Sequence, residues 1–160
     1  MKTQHAAAML RVSIGFTFLW AFLDKTFGLG SATSAEKSWI AGGSPTEGFL
    51  SNAARGPFAD LFHSMAGSPI VDRLFMLGLL LIGIALILGI GMKIATYTGS
   101  LLLFLMWLAL LPPTNNPILD EHLVYIFALF TLKSMKAGEI WGLGKEWSES
   151  RLVKKFPFLA

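Results

Sequence analysis

The chain contains no cysteine. That excludes disulfides, CxxC redox chemistry and thiolate metal sites together. Charge is scarce as well: acidic and basic residues make up 14% of 160 residues, against roughly 25% in an ordinary soluble domain. Of the three histidines, His5 lies at the start and His63 and His122 lie on separate segments at no metal-motif spacing. No metal or haem site is therefore expected, and no flavin-binding or nucleophile–base arrangement stands out. Gly142-Leu143-Gly144-Lys145 is not a P-loop, because it lacks both the spacing and a preceding strand.

What the chain has in abundance is apolar sequence. Hydrophobic residues reach 54% and mean hydropathy is +0.61. Residues 74–91 and 94–111 are almost wholly apolar, with Met92 and Lys93 between them. Each run has the ~18 residues that a helix rising ~1.5 Å per residue needs to cross ~30 Å of hydrocarbon. A helix that is apolar all round belongs in a large core or in lipid, and a chain of this length has no such core. A transmembrane hairpin is the expectation.

An earlier apolar run starts at Ala6 and continues through Leu10, Ile14, Phe18 and Phe22. Thr33-Ser34-Ala35 resembles a signal-peptide cleavage site, but Arg11 interrupts the apolar region, so a retained first span is expected. Arg11 and Lys25 point to nearly the same helix face, and Gly15 shares it, which invites a close neighbour. Arg11 sits more than a turn inside and calls for a buried partner. It is read as a structural intramembrane charge packed on the second or third span. In the second span, Gly78, Gly89 and the Ala85-x-x-x-Gly89 spacing favour close packing. Pro112-Pro113 ends the third span, and Asn116-Pro117 is the expected start of a fourth.

The expected fold is all-α. It is an integral membrane four-helix bundle, one membrane domain with spans near 6–27, 70–91, 94–111 and 117–135. Residues 28–69 form an outward-facing interfacial helical connection between spans 1 and 2. In it, Ser44-Pro45-Thr46-Glu47 reads as a capping box. Phe58, Leu61, Phe62 and Met65 form one apolar face of a short helix, with Asp60 and His63 on its polar side. Residues 136–160 read as a cytoplasmic amphipathic tail with Trp141 and Trp147 as aromatic anchors.

The net charge of +3 is concentrated at one end, so a lipid bilayer is the expected partner and nucleic acid is not. Nine of the 13 lysines and arginines, namely Lys2, Arg11, Lys93 and six from Lys133 onward, fall on one side; Lys25, Lys37, Arg55 and Arg73 fall on the other. The positive-inside rule then places both termini in the cytoplasm. Asp24, Lys25, Asp72, Arg73, Asp120, Glu121 and His122 meet at the outer level, with Trp39, Asp60 and His63 above them. They are either the hydrated rim of the bundle or a polar pocket over an apolar cleft.

Several motifs occur in order. Arg11-x-x-x-Gly15 runs to Asp24-Lys25, followed by Gly43-Ser44-Pro45-Thr46-x-Gly48-Phe49-Leu50 and Gly56-Pro57-Phe58. Val71-Asp72-Arg73-Leu74, Gly83-x-Ala85-Leu86-x-Leu88-Gly89 and Asn116-Pro117-x-x-Asp120-x-His122 complete the series. In this order and spacing the chain resembles the DoxX/DoxD family of small four-span prokaryotic membrane proteins over nearly its whole length. The resemblance implies a plasma-membrane subunit of a quinone-linked oxidoreductase, such as one oxidising thiosulfate at the outer face. It also implies a membrane quinone as acceptor and a second subunit or redox partner. On that basis His122 with Asp120 or Glu121 would serve quinone reduction, and Lys25, Arg55 and Arg73, with Asp24, His63 and Trp39 nearby, would form the substrate site. The competing expectation is a non-catalytic anchor or accessory subunit docking a redox or oxidative-stress partner. Whether the chain is an enzyme, and whether it oligomerises, is left open by the sequence.

Overall fold

The computed structural model describes residues 3–114 and 116–159, and among these every regular element is helical. Lys2, counted in the charge asymmetry, Asn115, part of the outer segment, and the terminal Met1 and Ala160 lie outside the described residues. The helices are α1 (Thr3–Phe27), α2 (Glu47–Asn52), α3 (Ala59–Ser64), α4 (Pro69–Leu88), α5 (Met92–Ala109), α6 (Glu121–Ser134), α7 (Gly144–Glu149) and α8 (Arg151–Lys155). Single 3₁₀ turns, such as Trp39–Ala41 and Ala137–Glu139, link them.

Three of these helices, α1, α4 and α5, are long and apolar enough to cross a membrane. Only about a third of each apolar stretch is buried within the protein. Phe16 and Trp20 on α1, Leu74, Leu77 and Leu81 on α4, and Leu101 and Leu105 on α5 are all exposed. An apolar outer face of this extent suits hydrocarbon rather than water. The inward stripes supply one shared core: Ile14 and Phe18, Met76, Ile82 and Leu86, Leu103, and Leu129 and Leu132 from α6.

The closest pair is α1 with α4. A Cβ built on Gly83 would stand 2.8 Å from the backbone nitrogen of Leu19, and one on Gly15 would stand 2.9 Å from that of Ile87. Two glycines thus face each other where the backbones approach most closely. Apolar solvent gives no hydrophobic push between helices, so such close van der Waals contact is what holds them. The sequence placed Gly15 correctly and missed Gly83. Gly89 is a close-packing position as expected, against the segment after α6, where a Cβ on it would stand 2.5 Å from the Gly138 carbonyl oxygen, and it is also the left-handed C-cap of α4, at φ +73°.

Arg11 is fully buried. Its Nη1 donates to the carbonyls of Leu86 and Ile87 (2.9 Å for Ile87), in the last turn of α4. Its Nη2 donates to the carbonyls of Ile140, at 3.1 Å, and Trp141, at 2.9 Å. The expected buried partner is therefore a set of four carbonyls and no carboxylate. One guanidinium satisfies acceptors that a helix end leaves open, meets the negative end of the helix dipole, and ties the segment after α6 to the α1–α4 pair. Glycines make room for it: a Cβ on Gly89 would lie 2.8 Å from Nη1, and one on Gly142 3.0 Å from Nη2.

Several expected boundaries move. The second span stops at Leu88, and α5 begins at Met92, so Lys93 is inside its first turn and not in the connecting turn. The last helix starts at Glu121, because Asp120 and not Asn116 caps it. Asn116 Oδ1 instead accepts from the amides of Ile118 and Leu119, both at 2.9 Å, in a turn of its own. Half of the capping box at 44–47 forms: the Glu47 amide donates to Ser44 Oγ at 3.2 Å, while α2 itself begins after Thr46, whose side chain makes no cap bond. The apolar face at 58–65 divides. Phe62 and Met65 pack with Leu50, Ala54 and Ala109, whereas Phe58 and Leu61 are exposed.

Two outcomes follow for the protein purified in detergent. Gly83→Ala forces α1 and α4 apart and costs about 1–3 kcal/mol, whereas Gly78→Ala meets only the flexible end of Leu102, at 3.0 Å, and leaves the melting temperature nearly unchanged. Equal melting of the two variants would contradict the close approach at Gly83. Arg11→Met keeps the stem volume and removes the donors. Hydrogen bonds from a charged group are worth about 1.5–3 kcal/mol each, offset in part by the relief of burying a charge. The expected result is a lower melting temperature with earlier proteolysis beyond residue 134, and Arg11→Lys falls between. A methionine variant as stable as the parent would show that the clamp is dispensable.

Candidate functional site

α1 ends, α4 begins, α5 ends and α6 begins at the same end of the helices, where the residues selected from the sequence also lie. They do not form one cluster. They fall into three local arrangements, and most of them hold backbone.

The first arrangement opens α6. Asp120 is the N-cap; its Oδ1 accepts from the amides of His122, at 3.0 Å, and Leu123, at 3.3 Å. Its Oδ2 accepts from His122 Nδ1 at 2.8 Å. One carboxylate thus starts the helix and fixes the imidazole, with Nδ1–H toward the carboxylate and Nε2 as the remaining ring nitrogen. His122 is 6% exposed. It begins the inward stripe that continues through Tyr125, Leu129 and Leu132. Glu121 is exposed. A possible ligand atom from each of Asp120, Glu121 and His122 falls within 4.8 Å of the others, which the Asp120–His122 hydrogen bond and chain adjacency account for.

The second arrangement joins α1, α4 and the connection between them. Asp24 is buried; its two oxygens accept from the amides of Ser31 and Ala32, each at 3.0 Å, and so close the turn after α1. Asp72, in the first turn of α4, accepts at Oδ1 from the Ser44 hydroxyl at 2.9 Å, the Thr46 amide at 3.1 Å and the Thr46 hydroxyl at 2.6 Å. The Ser44 hydroxyl accepts from the Glu47 amide at 3.2 Å and so serves its local turn and a carboxylate 28 residues away at once, while the Thr46 hydroxyl reaches the same carboxylate across 26 residues. Beside them, Trp39, Ser44, Asp72 and Arg73 line a cleft of about 270 Å³ floored by Gly42 and Gly43. Half-buried Lys25 lies within electrostatic reach of Asp24 and Asp72. Among the described residues, neither Lys25 nor Arg73 has a hydrogen-bond or ion-pair partner.

The third arrangement fastens the connection to the loop after α5. Arg55 Nε donates to the carbonyl of Leu110 at 3.1 Å, and its Nη2 donates to the Thr114 hydroxyl at 2.7 Å. The Arg55 amide donates to the Ala109 carbonyl at 2.8 Å. His63 Nε2 is 3.2 Å from the Ala54 carbonyl, inside the same connection. Arg55 and His63, expected at a substrate site, are here side chains that hold loops, and Asp60 is exposed. Arg11, expected to be structural, is so, at the opposite end.

Chemically, this end of the molecule offers one oriented imidazole and, separately, a small cleft with an uncommitted guanidinium. Sequence reasoning missed the Ser44–Thr46–Asp72 network, because a hydroxyl that accepts from its local amide, as Ser44 does from Glu47, carries no local sign that it also donates to a distant carboxylate.

Asp72→Ala should release residues 44–50 while leaving the long helices intact. Amide hydrogen exchange in that stretch is expected to rise, by the roughly 1–3 kcal/mol that hydrogen bonds to a buried charged acceptor supply. Unchanged protection there would mean that Asp72 does not hold the connection. Comparison of the chain with protein families, with curated proteins and with solved structures finds no match.

Proposed function

We propose that the chain is a DoxX/DoxD-type integral membrane four-helix bundle, with both termini cytoplasmic in a prokaryotic plasma membrane, and that it serves as the membrane subunit of a quinone-linked oxidoreductase. The observation that carries the chemical part is the His122–Asp120 pair, at 2.8 Å. An imidazole held by a carboxylate at Nδ1 is oriented to exchange protons at Nε2.

α6 has 14 residues and covers about 21 Å, less than the ~30 Å of a bilayer core. The exposed residues Ile118 and Leu119 precede it. Their amides are satisfied by Asn116, and the Ile118 carbonyl accepts from Trp107 Nε1 at 2.8 Å. Local satisfaction of a non-helical backbone is the condition for bringing it near lipid, so this stretch extends the reach of α6.

The reaction is a two-electron exchange. Two thiosulfate ions joined as tetrathionate release two electrons, and a quinone takes up those electrons and two protons to become a quinol. His122 serves the proton side at a quinone carbonyl. Arg73, in the cleft with Trp39, is the cation for an anionic donor, with Lys25 close by; Arg55 is committed to the loop it holds. The electron path between the two passes through a partner subunit.

A second reading is favoured by a different observation. Asp24, Asp72, Arg55 and His63 all tie down the connection between α1 and α4, which makes it a built platform for a docking redox protein. In that case the chain is an anchor and does no chemistry.

The decisive measurement is donor-dependent quinone reduction by membranes carrying the chain with its partners, compared for the parent and His122→Gln. Asp120 still caps α6 in this variant, so folding is retained. Loss of a general acid–base group lowers the rate about 100-fold or more. An unchanged rate removes His122 from the chemistry, and absence of quinone from the purified protein together with co-purification of a redox protein establishes the anchor.

A further inference from the structure

At the end of the helices opposite His122, a cleft of about 360 Å³ lies between the α4–α5 turn, the end of α6 and the tail. Gly89, Gly91, Gly138 and Gly144 contribute backbone to its lining. Met92 and Trp147 form apolar walls. Around it stand Lys93, Lys133 and Lys136, with Glu139 as the one carboxylate of the lining.

Of the three lysines, Lys133 is held in place, and Lys93 and Lys136 are exposed beside it. Lys133 is held by α5: its ammonium donates to the Tyr97 hydroxyl at 3.1 Å and lies 4.5 Å over that ring. Lys136 takes a left-handed backbone, at φ +50°, a conformation that costs a non-glycine residue roughly 1–2 kcal/mol. That turn brings the chain back from α6 over the cleft. Three cations with one anion around a cavity repel one another, and a bound anion relieves the repulsion. The first turn of α5 adds to the same field, since its N-cap, Gly91, has no side chain to cap it. Below the cleft, the exposed apolar residues Ile94, Tyr97, Leu101 and Phe130 continue along the outer faces of α5 and α6.

We infer that this cleft binds a phosphate group, held by Lys93, Lys133 and Lys136. The apolar track beneath it favours the phosphate of an anionic phospholipid, with its acyl chains along α5 and α6; free inorganic phosphate offers the same chemistry to the lysines. The lipid source rests on the membrane reading above, and the phosphate site itself does not.

The test uses the full chain purified and returned to nanodiscs of phosphatidylcholine with or without phosphatidylglycerol. Lipids retained through detergent exchange are counted by native mass spectrometry, and inorganic phosphate is titrated in parallel. Two double variants carry the same charge change: Lys93→Gln with Lys136→Gln in the cleft, and Lys154→Gln with Lys155→Gln on α8, outside its lining. The parent is expected to retain phosphatidylglycerol in preference to phosphatidylcholine. The cleft variant weakens that retention roughly thirtyfold, at about 1 kcal/mol per lysine, while the α8 variant stays within a few-fold of the parent. Phosphate binding that is lost in the cleft variant, without lipid preference, identifies free phosphate as the ligand. Equal losses in the two variants, or no binding of either probe by the parent, overturn the site. Release of the chain from membranes by alkaline wash would refute the membrane reading, and phosphate binding by the released chain would still be scored.

Discussion

A guanidinium with four carbonyl acceptors and no carboxylate is the contact on which one whole end of this protein depends. Arg11 comes from α1, two of its acceptors from the last turn of α4, and two from the segment after α6. A lysine cannot reproduce this geometry, since four planar donors must reach acceptors on two separate chain segments. Burying the charge is costly, and Nε remains without a partner. The cost is offset because the carbonyls of Leu86 and Ile87 are acceptors that the end of α4 leaves open, Leu86 being fully buried, and because they lie at the negative end of a helix dipole. Glycines 89, 138, 142 and 144 converge on the same place, since only a chain without side chains lets three segments meet around one guanidinium.

The other end obeys the same rule with the signs exchanged. Asp24 accepts from two amides after α1, Asp72 from one amide and two hydroxyls before α2, and Asp120 from two amides at the start of α6. In a chain with so little charge, the buried ions complete backbone where helices begin, end or turn. That is the place where open N–H and C=O groups are hardest to satisfy without water. Charges at the ends of apolar helices are therefore weak pointers to chemistry until their acceptors and donors have been counted.

This explains what could be read from the sequence. Apolar runs located α1, α4 and α5 to within a few residues, because length and hydropathy are local properties. The burial of Arg11 and the contact at Gly15 were also legible, since a charge and a glycine on one face of an apolar helix leave few alternatives. The partners were not legible. Arg11 binds carbonyls as many as 130 residues away, and carbonyls have no sequence signature. Asn116-Pro117 carried every mark of a helix start, yet Asp120-Glu121 won: the Asn116 side chain satisfied its own turn, and Asp120 could cap the helix and hold His122 at once. At Ser44 the local reading was half complete: its hydroxyl accepts from the Glu47 amide, as a cap does, and also donates to Asp72, 28 residues away, a contact with no local signature.

Counting hydrogen bonds also narrows where function can lie. Asp24 has both oxygens engaged by amides, Asp72 is already met by three donors, and Arg55 and His63 hold backbone or loop. Removing any of these changes the fold before it changes a reaction, so loss of activity in such variants would say little about chemistry. Among the described residues, four ionisable groups at this end combine partial or full burial, or a cleft position, with an unused donor or acceptor: His122 through Nε2, Lys25, Arg73, and Asp72 through Oδ2, since its three donors all meet Oδ1. Asp120 binds His122 without being available itself, because its oxygens serve both the ring and the helix. The oriented imidazole and the uncommitted cation beside Trp39 stand at separate places. A single compact catalytic centre would have needed the three arrangements to coincide, and the hydrogen bonds that build the connection hold them apart.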